Sequence, residues 1–559
     1  MPKLKALLLA GTFAVAAPFS ATALAQEVVN VAGIEATRVV IAPPRSELAR
    51  IIKAGLSESY AAAQKGTRAY EQTQKLYFFY GARHFEPLWL SQGSSGKVTF
   101  SANAEKIIDV FKRSELEGFR PSDYLTADLD PAAAGTDPAR LAALETAFSA
   151  AAIKYAQDAF GGRVSPLEVN SSWTIAPKRI NEAELLVKLA ESDDPGAILL
   201  DLSPKQREFL ALRTALAKFY GDTVIDAAVT IPEGTVLKPG MKDERVTLLR
   251  QRLDVPEPDI PETAGAEATA DITYDKPLVA AVKTFQESLG LQADGVVGPA
   301  TIAALNGGSA TTKEDIIANM ERWRWEPDDY GKFEVEVNIP EFRLWIRKDG
   351  EVVHTTRVVV GRPQNQTPVF NNSIKHIVVN PYWNVPASIA TNEIKPHLMA
   401  NPGYLASQNM EMLYGGKVIN ASAIDWTQTN INQFHIRQRP GSGNALGRIK
   451  FLFPNEHDVY LHDTPSKSLF SRTFRAHSHG CVRVENPMDF ADALLKLEPE
   501  LTAARLEASF GDKERWFNLA NHIPVHISYF TLRVDEDGTI RSYGDVYGAN
   551  KRLIELLQL

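Results

Sequence analysis

One cysteine in 559 residues excludes a disulfide framework within the chain. A basic excess is missing too. Lys and Arg total 60 against 68 Asp and Glu, a net charge of -8, so the phosphate-neutralising surface of a nucleic-acid binder is absent and no nucleic-acid partner is expected. After the first 25 residues there is no run of about 18 apolar residues, so the mature chain is not expected to span a membrane. What remains is ordinary for a soluble protein, 44% hydrophobic and 23% charged. The length is too great for one core and predicts at least three domains.

Residues 1–25 read as a secretory signal peptide. Lys3 and Lys5 supply the charged start, Leu7 to Ala17 the apolar stretch, and Ala23-Leu24-Ala25 a small-x-small cleavage site before Gln26. An uncleaved anchor fits less well, because the stretch is short, carries Gly11 and Thr12, and stops at Pro18. The chain is therefore expected to be exported to the periplasm. Exported proteins use cysteines in pairs, so a lone one points to a free reactive thiol or an intermolecular bridge.

Residues 26–65, with Pro43-Pro44, predict a flexible lead-in. Residues 66–230 predict a helical scaffold domain, with apolar spacing over Leu141 to Phe160, Glu182 to Ala190 and Glu208 to Tyr220. Residues 237–306 form a separate small module. Val246, Leu249 and Leu253 share a helical face, as do Leu278, Val282, Phe285 and Leu289, with a loop-like insert from Pro256 to Asp271 between them. Asp294-Gly295-Val296-Val297-Gly298-Pro299 is a turn before a third short helix ending near Asn306. The run F-Q-x-x-x-G-L-x-x-D-G-x-x-G-x-x-T from Phe285 to Thr301 resembles the peptidoglycan-binding type 1 domain, a three-helix cell-wall module.

From Phe333 the periodicity becomes two. Glu334 to Ile339 alternates, and Arg343 to Arg347 leads into the hairpin signal Asp349-Gly350. Val352 to Val360, His376 to Asn380, Val459 to His462 and Val525 to Leu532 are further strands. A β-rich domain is expected over 333–535, with an inserted capping subdomain at 391–450, where the strand pattern breaks, and a tail at 536–559. The fold class is multidomain α+β.

The chemistry concentrates in Val459-Tyr460-Leu461-His462-Asp463-Thr464-Pro465 and His477-Ser478-His479-Gly480-Cys481-Val482-Arg483-Val484. On a strand, Tyr460 and His462 share one face, and His479, Cys481 and Arg483 alternate in the same way. A cysteine acyl-transfer enzyme needs a thiolate, a histidine to carry its proton, and donors for the oxyanion. An imidazolium neighbour can lower a thiol pKa by several units, and His462 and His479 are both candidates. Gly480 keeps a Cβ out of the way, and the Gly480 and Cys481 amides are candidate oxyanion donors. Thr464, Asp463 or a backbone carbonyl is left to orient the His462 ring. Against these stand plainer readings. A lone cysteine is most often a small buried hydrophobe. A histidine beside an aspartate is often a structural pair. Arg483 either anchors a substrate carboxylate or pairs with Glu485. Asn486 and Pro487 start a helix whose stripe of Met488, Ala491, Leu494, Leu495 and Leu497 is core.

His462 followed by Ser478-His479-Gly480-Cys481-Val482-Arg483 resembles the signature of the L,D-transpeptidase catalytic domain. Asn380 to Pro386, Arg437 to Gly441, Asn444 to Gly447, Lys450 to Asn455, Asn319 to Trp325 and Asp545 to Gly548 are similar to segments of the large multidomain members in Gram-negative bacteria. The resemblance implies that Cys481 attacks the diaminopimelate–D-alanine bond of a peptidoglycan tetrapeptide stem. His462 would protonate the departing D-alanine, and the thioester would pass to an amine. That amine belongs to the third residue of another stem or to an acceptor such as an outer-membrane protein or lipoprotein. It also implies covalent inhibition by carbapenems, a capping subdomain, and a substrate groove lined by Ser478, Tyr460, Trp383, Asn384 and Arg483. No metal and no cofactor is called for. Two rivals remain. One is a zinc-dependent cell-wall peptidase built on His477, His479 and Cys481 with His457 and His462 nearby. The other is a non-catalytic wall-binding scaffold.

Overall fold

Ser46 starts the first long helix, Glu47–Ala62, by accepting the Ala49 amide at 3.1 Å, and Ala49, Ile52 and Leu56 bury its inner face. The flexible lead-in expected to residue 65 therefore gives way to helix at 47, where a capping serine and a helical apolar stripe follow Pro43-Pro44. The structure is a computed structural model. It describes residues 27–30 and 38–559, apart from 95, 221–230, 233, 254, 257, 259–271, 289–292, 299–300, 303–304, 306–310 and 536–537. The expected signal peptide, Leu289, most of the insert 256–271 and the end of the module's third helix lie outside the described residues. Among the described residues no helix is long and apolar enough to cross a membrane.

The chain divides into two units. The first comprises Met1–Phe111, Ser122–Tyr155 and Asn181–Ile198. Its described residues are mainly helical, with two short strand pairs, and they enclose a buried carboxylate. Glu145 accepts the Leu88 amide at 2.6 Å, the Trp89 amide at 3.1 Å and the Tyr80 hydroxyl at 2.7 Å, which offsets the cost of its burial. The expected scaffold stretch is thus split, since 112–121, 156–180 and 199 onward belong to the second unit.

Within the second unit, the module around 237–306 has its own core of Leu237, Val246, Leu249, Tyr274, Leu278, Val282, Val297, Ile302 and Leu305. The helices Arg245–Arg252 and Lys276–Ser288 carry it. Gln286 pins the Asp294-Gly295 turn by accepting the Gly295 amide at 2.9 Å and donating to the Val296 carbonyl at 3.0 Å.

The β-rich domain is a closed barrel. Its strands are β1 (Phe333–Asn338), β2 (Arg343–Lys348), β3 (Glu351–Gly361), β4 (Phe370–Val379), β5 (Ile449–Leu452), β6 (Leu461–His462), β7 (Val482–Val484) and β8 (Arg515–Ser528). The pairing runs β3–β7–β6–β5–β4–β8–β1–β2 and returns to β3. Strand pairs β6–β7 and β8–β1 are parallel. A short strand, Ala476–Ser478, adds to the end of β3. Leu461, Val482, Val484, Ile449 and Phe451 point into the core, so their alternating neighbours point out.

One expectation is corrected at the domain edges. The inserted subdomain begins earlier than 391 and ends earlier than 450. Its sheet includes Trp383–Asn384, paired with His435–Gln438, and its core includes Ile389 and Ala390. Ile449 and Lys450 instead pair with Val379 and Val378 in the barrel. The expected tail, 536–559, carries a strand and a helix among its described residues. Ile540–Ser542 pairs with Leu532–Val534, and helix Ala549–Leu557 buries Leu553 and Leu557.

Candidate active site

Strand β6 places His462 opposite Lys450 of β5 on one side and opposite Arg483 of β7 on the other. These three side chains share the outer face of the barrel, because Leu461, Val482 and Phe451 between them face inward. Tyr460 precedes His462 by two residues and Cys481 precedes Arg483 by two, so both fall on this face. The Tyr460 and His462 rings lie 5.7 Å apart, Tyr460 hydrogen-bonds Cys481, and the charge of Arg483 reaches both Cys481 and His462.

His462 is buried at 4% exposure. Its Nδ1–H donates to the backbone carbonyl of Asp463. The carbonyl, rather than Thr464 or the Asp463 carboxylate, orients the ring. The carboxylate is spent elsewhere, accepting the Lys467 ammonium at 2.6 Å and the Arg448 amide at 2.9 Å. With Nδ1 donating, Nε2 carries the lone pair. Burial, then the positive charge of Arg483, pushes the imidazole pKa down to about 3.

Cys481 is half-buried, and its thiol lies 3.9 Å from the Asp458 carbonyl. Burial pushes its pKa up to about 11, against hydrogen bonding from Tyr460 and the charge of Arg483, which favour the thiolate. The resting pair is thus a neutral thiol and a neutral imidazole. Burial disfavours the charged form of each group.

The loop before the cysteine is held from within. The Ser478 hydroxyl donates to the Cys481 carbonyl at 2.5 Å and accepts the Gly480 amide at 3.1 Å. Ser478 is therefore a loop staple and not the groove residue expected of it. The Gly480 amide is also spoken for, which leaves the Cys481 amide as the candidate oxyanion donor of that pair. Gly480 has φ +122°, a conformation open almost only to glycine. Its carbonyl accepts the Thr367 hydroxyl at 2.7 Å. Thr367 in turn receives the Gly361 amide at 2.8 Å, while Tyr547 bridges the Thr367 amide and the Gly361 carbonyl. Gly480→Ala is expected to cost about 1–3 kcal/mol of stability and to misplace Cys481. Urea unfolding and thiol alkylation rates check this, and a variant as stable and as reactive as the parent contradicts it.

The His479 ring Nε2 meets the Glu393 carboxylate of the inserted subdomain at 2.7 Å, and Arg362 approaches the same carboxylate at 3.7 Å. This ties the candidate catalytic residue His479 to the cap. Trp383 and Asn384 sit in the cap sheet opposite Gln438 and Arg437, with Trp383 packed on the cap core. Arg483 does not pair with Glu485, which is taken by Arg357 at 2.7 Å.

The zinc arrangement does not form. His477 Nε2 meets the Phe474 carbonyl at 3.0 Å, His479 meets Glu393, and His462 is tied to Asp463. No group of three or more His, Cys, Asp or Glu side chains is arranged to hold a metal among the described residues.

Sequence reasoning passed over Lys450, Thr367 and Glu393. Only Lys450 had a usable local signal, as the charged middle of the apolar strand Ile449-Lys450-Phe451.

Residues 332–501 match the L,D-transpeptidase catalytic domain family, residues 243–305 a peptidoglycan binding domain family, and residues 74–216 a scaffold domain family. A provisionally named L,D-transpeptidase of Haemophilus influenzae is 35% identical over 251 residues, 44% of this chain and 50% of that protein. The match thus spans about half the length of this curated relative. Among solved structures, an L,D-transpeptidase of Xylanimonas cellulosilytica is 19% identical and covers 53% of this chain and 99% of its own, with a TM-score of 0.18. One of Stackebrandtia nassauensis is 15% identical and covers 54% and 97%, with a TM-score of 0.20. Likenesses at these TM-scores carry no weight for fold or activity. The chain therefore contains a helical scaffold region, a peptidoglycan-binding module and a β-rich L,D-transpeptidase domain.

Proposed function

We propose that the chain is a peptidoglycan L,D-transpeptidase acting in the cell wall or periplasm, with Cys481 as nucleophile and His462 as proton carrier. The observation that supports this reading is the pairing of β6 and β7, where His462, its Nδ1 held by a carbonyl, stands opposite Arg483, two residues after the chain's only thiol.

In the proposed reaction Cys481 Sγ attacks the carbonyl between diaminopimelate and the terminal D-alanine of a tetrapeptide stem. His462 Nε2 accepts the thiol proton as the S–C bond forms, and the Cys481 amide donates to the developing oxyanion. The C–N bond breaks, the proton passes to the departing amine, and a thioester remains. An acceptor amine then attacks the thioester, giving up a proton to Nε2 while the thiol leaves. The acceptor is the third residue of another stem, with an outer-membrane protein or lipoprotein amine as the alternative. The peptidoglycan-binding module supports a wall substrate, since it would hold the enzyme on its polymer. The signal-like pattern expected over residues 1–25 would support export. Carbapenems would acylate the same sulfur.

Incubation with purified muropeptides, read by mass spectrometry, tests this. We expect free D-alanine together with a dimer joined through the third residues of two stems. D-alanine without a dimer would point to water or a protein amine as acceptor. No D-alanine from any tetrapeptide would end the reading.

A further inference from the structure

Lys450 stands opposite His462 on the outer face of the barrel. It is only 8% exposed, yet among the described residues no hydrogen bond or ion pair holds its ammonium. Burial lowers the Lys450 pKa, and its Nζ, unlike Arg483 Nε, keeps some access to solvent, so the ammonium is open to an incoming anion. The ammonium lies 5.7 Å from the Tyr460 ring centre and 5.6 Å from that of Trp516. Those rings solvate it partly and wall it in. Its charge and that of a Cys481 thiolate act on each other, and Tyr460, whose ring the ammonium approaches, also hydrogen-bonds Cys481. Glu514 is the carboxylate whose charge reaches it. That side chain is already engaged, accepting the Tyr382 amide at 2.9 Å and Trp516 Nε1 at 3.1 Å. Arg483, on the far side of His462, adds a second positive charge, and its Nε also lacks a partner.

We propose that Lys450 is a specificity residue whose ammonium receives the terminal carboxylate of the donor peptide, beside the bond that Cys481 attacks. The inference rests on the L,D-transpeptidase reading. In that reaction the carboxylate of the departing residue lies just one carbon beyond the scissile nitrogen. It therefore falls close to the sulfur once the carbonyl is in place. A stem extended by another residue, or capped as an amide, would present a neutral group to an unpaired ammonium.

The test uses two reagents that alkylate the same sulfur and differ in one carboxylate, iodoacetate and iodoacetamide. Intact mass reports the reaction cleanly, since Cys481 is the only cysteine. The ratio of iodoacetate to iodoacetamide rates is expected to fall about tenfold in Lys450→Met and to recover in Lys450→Arg. A general structural defect would slow both reagents and leave the ratio in place. An unchanged ratio in Lys450→Met overturns the proposal. A second arm compares release of the last residue from a tetrapeptide acid and its C-terminal amide. The parent should favour the acid by about tenfold, and Lys450→Met should erase that preference. Equal rates in the parent overturn the proposal. Failure of the parent to act on either peptide sinks the transpeptidase reading, and the alkylation ratio then decides on Lys450 alone.

Discussion

Cys481→Ala is expected to lower turnover by about 10,000-fold or more while leaving the fold intact. No second cysteine can substitute, since the chain has one. The loss should be chemical rather than structural. The loop is held by groups the substitution leaves alone: Ser478 on the Cys481 carbonyl, Thr367 on Gly480, and the Val482 amide on the Tyr460 carbonyl at 3.1 Å. The residue is half-buried at the end of a strand, so removing one sulfur opens little space in the barrel core. Two measurements check this. Incubation with a carbapenem should raise the mass of the parent by one inhibitor and leave the variant unchanged. Thermal unfolding of the two should coincide within a few degrees. Cross-linking retained in the alanine variant would return the chain to the wall-binding scaffold reading.

His462→Ala is expected to cost about 100- to 10,000-fold in turnover, the usual share of a positioned proton carrier. The pH dependence distinguishes how it acts. A preformed thiolate–imidazolium pair would make the cysteine reactive from mildly acidic pH upward, with a plateau through neutrality. Here the imidazole is pushed down to about 3 and the thiol up to about 11. Between those values both groups are neutral. Alkylation of Cys481 by iodoacetamide should therefore climb steadily from pH 7 towards 10, because the thiolate fraction grows about tenfold per pH unit below the thiol pKa. In turnover, His462 works by accepting the proton during attack, which does not require a standing ion pair. A rate plateau near pH 6 in the free protein would contradict this, and turnover undiminished in His462→Ala would remove the residue from the mechanism.

Much of this site could be read along the chain. Strand alternation has period two, so Tyr460 with His462, and Cys481 with Arg483, were bound to share faces once those segments were extended. The small module was equally plain, because its helices bury Val246, Leu249, Leu278 and Val282 at helical spacing. Local signals misled where a residue's hydrogen-bonding partner lies across the fold. His479 gave no local sign of Glu393, 86 positions away, which meets its ring. Ser478 looked available until its hydroxyl turned back on its own loop. The lead-in was misjudged because its burial depends on surfaces supplied by other segments.

Residue types, their alternation and the single thiol were settled by the order of amino acids, because periodicity and covalent neighbours are local properties. Which strands lie side by side was decided by the closed barrel, which set Lys450, His462 and Arg483 in one row across β5, β6 and β7. Electrostatics follows from that row. Whether a buried cation is paired, or an imidazole stays neutral, depends on charges brought close through space, and chain order does not specify those distances.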